Sequence, residues 1–139
     1  MYRGEQPLMC DVVVKVLHQR LRDDHVALQR FKREAKLASR FNHPYAAHVY
    51  SFGVGKDGLA WITMELVRGI TLKRWLKLHG PMPLDQFVPF FERLAQVVHA
   101  AHKRGIIHRD LKPSNVMVIE GADGLFPKLL DFGIAKVQR

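Results

Sequence analysis

Apolar and polar positions along this chain switch between a strand-like and a helix-like period. From Asp11 to Leu17, valine fills four of seven positions, the β-branched enrichment of a strand. The polar, basic run from His18 to Asp24 predicts a loop. From Asp24 to Phe41, the apolar residues Leu28, Phe31, Ala35, Leu37, Ala38 and Phe41 recur at helical spacing, with Asp23 or Asp24 as cap and Asn42-His43-Pro44 as stop. Two strands are predicted next, about Ala47 to Gly53 and Leu59 to Leu66, around the turn signal Gly55-Lys56-Asp57-Gly58. Gly69 marks a break. Beyond it, Thr71 to Leu78 reads as a short helix capped by Thr71, and Gly80-Pro81-Met82-Pro83 as a linker. Phe87, Phe90, Phe91, Leu94, Val97, Val98 and Ala101 form an apolar stripe on a helix from Leu84 to Lys103. Pro89 should at most bend that helix, and Gly105 should end it. A short apolar strand, Val116 to Ile119, then sits between two polar loops. Strands, one helix, strands and then helices indicate an α+β chain with a boundary at about residues 66–70.

The polar loops around that last strand hold the candidate chemistry. Asp110, Asn115 and Asp131 supply two carboxylates and one carboxamide, hard oxygen donors of the kind that hold magnesium against phosphate. Taken singly, each residue has a plain alternative. One acid could be a solvated loop residue, and Lys15 alone would be an ordinary strand-edge lysine. Glu34 alone would be a solvated helix residue among the cations Lys32, Arg33 and Lys36. Phe132 and Met64 are core by default, and the Phe87–Phe91 cluster is core or interface. The joint run His108-Arg109-Asp110-Leu111-Lys112-Pro113-Ser114-Asn115, followed by Asp131-Phe132-Gly133, is too long for chance.

These two segments resemble the catalytic and metal-binding loops of protein kinases. The resemblance extends upstream in the right order. Val12-Val13-Val14-Lys15 looks like the strand bearing the phosphate-binding lysine, Glu34 like its ion-pair partner, and Met64-Glu65-Leu66-Val67 like the hinge that adenine hydrogen-bonds. Lys112-Pro113-Ser114 is similar to the serine/threonine branch, and Leu129 to Lys136 to the eukaryotic-like kinases of bacteria. The resemblance implies a protein-kinase-like fold: an N-lobe of a small antiparallel sheet plus one helix (1–66), and a partial, mainly helical C-lobe (67–139). It implies ATP and Mg2+ as cofactors and a protein bearing Ser or Thr hydroxyls as substrate. Asp110 would be the catalytic base, Lys112 would neutralise the transferring phosphoryl, and Asn115 and Asp131 would hold the metal. Lys15, Glu34, Val13, Met64, Glu65, Val67, Met117 and Asp131 would form the nucleotide site. His108 would pack on Phe132. The family usually has alanine where Val13 stands, and the larger side chain would press on the adenine ring. An inactive fragment serving as a binding or regulatory module is the alternative. A small-molecule phosphotransferase is a third reading, disfavoured by Arg109, Lys112-Pro113 and the intact Asp131-Phe132-Gly133.

Composition refines this picture only slightly. The chain has 139 residues and a formal charge of +9, yet its lysines and arginines are scattered, and no basic-aromatic alternation suggests nucleic acid. Part of the basic excess suits an anionic nucleotide. Cys10 is the only cysteine, so no internal disulfide can form. That fits a cytoplasmic protein, and no apolar run is long enough for a membrane span. His99 and His102 share a helix face without a third ligand at suggestive spacing, so zinc is not expected. The resembled domain is nearly twice this length, with a Gly-rich loop expected ahead of Met1 and an activation segment beyond Arg139. Little kinase activity is therefore expected of residues 1–139 by themselves.

Overall fold

Val12 to Arg20 forms strand β1, which pairs antiparallel with β3 (Leu59–Glu65) in a register running from Val12 opposite Glu65 to Val16 opposite Trp61. The computed structural model of the chain describes residues 11–20, 23–106 and 111–130, with the backbone alone for 18–20. Past an irregularity after Val16, β1 continues until Arg20 pairs with Leu59. The loop predicted from His18 therefore begins later. Ladder bonds are made by the backbone, so the polar side chains of His18, Gln19 and Arg20 do not end the strand. Strand β2 (Val49–Val54) flanks β3 on its other side, giving the order β1-β3-β2.

One face of this sheet is apolar because β3 alternates with period two. Ala60, Ile62 and Met64 are buried and their neighbours are not. That face packs on helix α1 (His25–Ser39), which buries Ala27, Phe31, Ala35 and Ala38. Leu17 and Val49 complete this first core. Asp24 caps α1, its Oδ1 accepting the Ala27 N–H at 3.0 Å. The helix stops at Ser39, ahead of the predicted Phe41. Strand β2 likewise starts two residues after the predicted Ala47, because the preceding backbone is engaged elsewhere. Ala47 N–H donates to Leu129 O at 3.0 Å, and Leu129 N–H donates to Tyr45 O at 2.9 Å.

The second half adds a small sheet to its helices. Strands β4 (Ile70–Thr71), β5 (Val116–Gly121) and β6 (Gly124–Leu129) pair in that order. Strand β4 is too short for any periodicity to reveal. Gly69, just before it, passes so close to β5 that a Cβ would lie 2.5 Å from the Val118 carbonyl oxygen, which explains the glycine there. Helix α2 (Leu72–His79) is capped by Thr71, whose Oγ1 accepts the Arg74 N–H at 3.1 Å. Helix α3 spans the predicted Leu84–Lys103 and runs through Pro89. It ends in a Schellman turn. Gly105 has φ of 80°, and Gly105 and Ile106 donate to His102 O and Ala101 O. Val97, Ala101 and Phe90 of α3 bury Val116, Val118, Leu125 and Leu129 of the hairpin, with Trp75 and Ile106. This is a small antiparallel sheet with a helix, followed by a largely helical lobe, as the resemblance implies.

Candidate active site

The inward face of β1 carries Val13, Lys15 and Leu17. Val13 lies directly opposite Met64 and Lys15 opposite Ile62, so all four side chains share the face that meets α1. Burial along this face is graded: Leu17 is 1% exposed, Lys15 is half-buried, and Val13 is 37% exposed. The core is thus sealed at one end of β1 and opens at the other. Met64 is 7% exposed, within the core and at the closed side of that opening. On α1, Glu34 follows Phe31 by three residues and is half-buried beside the apolar stripe. Lys15 and Glu34 therefore lie on the strand and helix faces that enclose one core.

Past β3 the chain becomes the predicted hinge. Leu66 N–H donates to Asp11 O at 3.3 Å, and Arg68 pairs with Asp11, both side chains exposed. Val67 is half-buried against the first core. Glu65 is held at both ends. Its N–H donates to His48 O at 2.8 Å, and its Oε1 accepts the His48 N–H at 3.1 Å. Its Oε2 lies 2.6 Å from Lys128 Nζ on β6. Sequence reasoning missed Lys128. The available signal was a lone cation in the otherwise apolar run Leu125 to Leu130.

The β5–β6 register decides which way Met117 points. Met117 lies opposite Lys128 and Thr71, so it shares the sheet face that reaches Glu65. Val116, Val118, Pro127 and Leu129 take the opposite, buried face. Met117 is thus a half-buried apolar group on the hinge side of the second sheet. A 3-10 turn, Pro113–Asn115, precedes β5, closed by Asn115 N–H donating to Lys112 O at 2.8 Å. Asn115 is half-buried and Lys112 exposed. Asn115 O accepts the Leu130 N–H at 2.9 Å. This one bond ties the loop before the hairpin to the residue that precedes Asp131 in sequence. Asp110, Asp131, His108 and Phe132 lie outside the described residues. Among the described residues no group of three or more His, Cys, Asp or Glu side chains could hold a metal, and no helix is long and apolar enough to cross a membrane.

Val13 and Met64 face each other across the first sheet, Val67 packs on the same core, and Lys15 stands next along the Val13 face. Asn115 carries a carboxamide, the hard oxygen donor type a magnesium ion prefers. Comparison with known proteins shows the family. The family model for the protein kinase domain matches residues 5–139. The chain is 44% identical over 137 residues to the serine/threonine-protein kinase pkn2 of Myxococcus xanthus, covering 98% of this chain and 16% of that protein. It is 39% identical over 129 residues to the serine/threonine-protein kinase PknB of Mycobacterium tuberculosis, covering 91% of this chain and 20% of that one. The crystal structure of the Mycobacterium tuberculosis PknI kinase domain superposes with a TM-score of 0.75 at 33% identity, over 89% of this chain and 50% of that chain. Rad53 residues 1–466, solved in complex with AMP-PNP, superposes with a TM-score of 0.74 at 28% identity, over 88% and 31%. This chain therefore spans about a fifth or less of the length of these curated relatives, and half of the PknI kinase-domain chain.

Proposed function

Because this chain belongs to the protein kinase domain family, among bacterial serine/threonine-protein kinases, we propose that it binds Mg-ATP and serves transfer of the γ-phosphoryl group to Ser or Thr hydroxyls of a protein. The observation that carries this reading is the Leu130–Asn115 backbone bond. It holds Asn115 against Leu130, the residue before Asp131 in sequence, at the end of the β5–β6 hairpin. The nucleotide complex of Rad53 supports ATP as the ligand class.

Each residue then has a task set by charge. Val13, Met64, Val67 and Met117 enclose the adenine ring, beside the Glu65 backbone. Lys15, oriented by Glu34, neutralises the inner phosphates. Asn115 and Asp131 supply oxygens to magnesium, which when bound offsets charge on the phosphates. Asp110 accepts the proton of the substrate hydroxyl. The substrate hydroxyl oxygen forms the new bond to the γ-phosphorus as the bond from that phosphorus to the β–γ bridging oxygen breaks, and ADP leaves. Lys112 stabilises the negative charge spread over the transferring group. An ordinary carboxylate is ionised at neutral pH, the form that accepts a proton.

Titration calorimetry on the 139-residue chain tests the reading. Wild type should bind Mg-ATP more tightly than ATP in excess chelator. Lys15→Met should weaken binding by about tenfold or more. Asp131→Asn should erase the magnesium dependence while leaving binding of metal-free ATP. A wild-type chain that binds no nucleotide, or a Lys15→Met chain that binds as well as wild type, would overturn it.

A further inference from the structure

We propose that Lys128 is a positioning residue, which through Glu65 sets the hinge relative to Asn115 and to Leu130, the residue before Asp131 in sequence. For its nucleotide readout this rests on the function proposed above. The pair is not an ordinary surface bridge. Lys128 and Glu65 are 17% and 28% exposed in their side chains, so leaving either charge alone there would be costly. The Glu65 carboxylate divides its oxygens between the Lys128 ammonium at 2.6 Å and the His48 N–H at 3.1 Å. The contact spans 63 residues of sequence.

Three successive residues of one strand and its exit each grip a different part of the molecule. Lys128 holds the hinge through Glu65. Leu129 exchanges backbone bonds with Tyr45 and Ala47, where the chain enters β2. Leu130 donates to Asn115 O. Asp131 is the next residue in sequence. A shift of Glu65 against β6 is therefore passed along a short, hydrogen-bonded stretch to Asn115. Met117, opposite Lys128, places the same link beside the apolar wall for adenine. Lys128 acts by fixing where the groups that hold the nucleotide stand.

The test uses the full 139-residue chain as wild type, Lys128→Met, Lys128→Arg and Glu65→Gln. Amide hydrogen exchange is read at Glu65, Leu129 and Leu130, and Mg-ATP affinity by calorimetry. Lys128→Met and Glu65→Gln should speed exchange at all three amides and raise the Mg-ATP dissociation constant by about tenfold. Lys128→Arg, keeping the cation, should restore most of both. Unchanged exchange in both Lys128→Met and Glu65→Gln overturns the proposal. So does a Lys128→Arg chain as impaired as Lys128→Met. A lowered melting temperature with unaltered Mg-ATP affinity also overturns it, since a merely stabilising bridge would behave that way. If wild type binds no Mg-ATP, the proposed function fails separately, and exchange at Leu130 alone decides whether Lys128 governs the loop.

Discussion

His43 shows how one side chain acquires a pH dependence from its surroundings. Its ring stacks on Phe41 at 5.9 Å, and its Nδ1 accepts the Tyr45 N–H at 3.1 Å. Burial holds its pKa below the ordinary value of 6.5, because the charged ring loses hydration there. The unfolded chain then binds more protons than the folded one between that lowered value and 6.5. The His43 contribution is thus fully present above about pH 6.5 and is lost as pH falls through the folded-state value. Urea unfolding at about pH 7.5 and about pH 5.5 should show His43→Gln losing less stability on acidification than wild type. The sequence marked this residue only as part of a helix stop. Residue identity sufficed to nominate Lys15, Glu34, Asn115 and Met117, because their types and order form the motif. It could not say that Lys128 reaches Glu65, because nothing local in Phe126-Pro127-Lys128-Leu129 requires a partner 63 residues away.

Helix α1 shows what is legible at the scale of an element. Its start was readable because a cap is a local event, with Asp24 Oδ1 taking the Ala27 N–H three residues on. Asp24→Ala should destabilise the chain by about 1 kcal/mol, and Asp24→Asn by much less, as measured by chemical denaturation. The consequence reaches the site, since α1 carries Glu34 beside Phe31. Helices α2 and α3 were equally readable, from Thr71 at one start and Gly105 at the other end. Strands were less so. β1 runs to Arg20 and β4 consists of two residues. Both depend on partners distant in sequence, Leu59 and Val118 among them. Helical hydrogen bonds close within four residues, whereas a strand exists only once its neighbour is in place.

Among the described residues two small cores are joined by specific links: Glu65 to Lys128, Leu129 to Ala47, Leu130 packed on the first core and Leu37 of α1 on the second. Leu129 is fully buried in the second core, so the strand that joins the lobes is also a centre of one of them. The two lobes should therefore unfold together. Trp61 reports on the first sheet and Trp75 on the second core. In single-tryptophan chains made by Trp61→Phe or Trp75→Phe, the fluorescence transition should coincide with far-UV dichroism of the same chain. Separate midpoints would mean that the lobes melt independently. At this scale, the amino-acid order alone determined the family resemblance, the helices and the residue types of the site, because motifs and periodicity are local. Only tertiary structure decided that Val13 opens from the core while Met64 closes it, that Met117 faces the hinge, and that β6 clamps both lobes beside Asn115. Those outcomes depend on strand register and on contacts between distant segments, and a register shifted by one residue would turn every side chain to the other face.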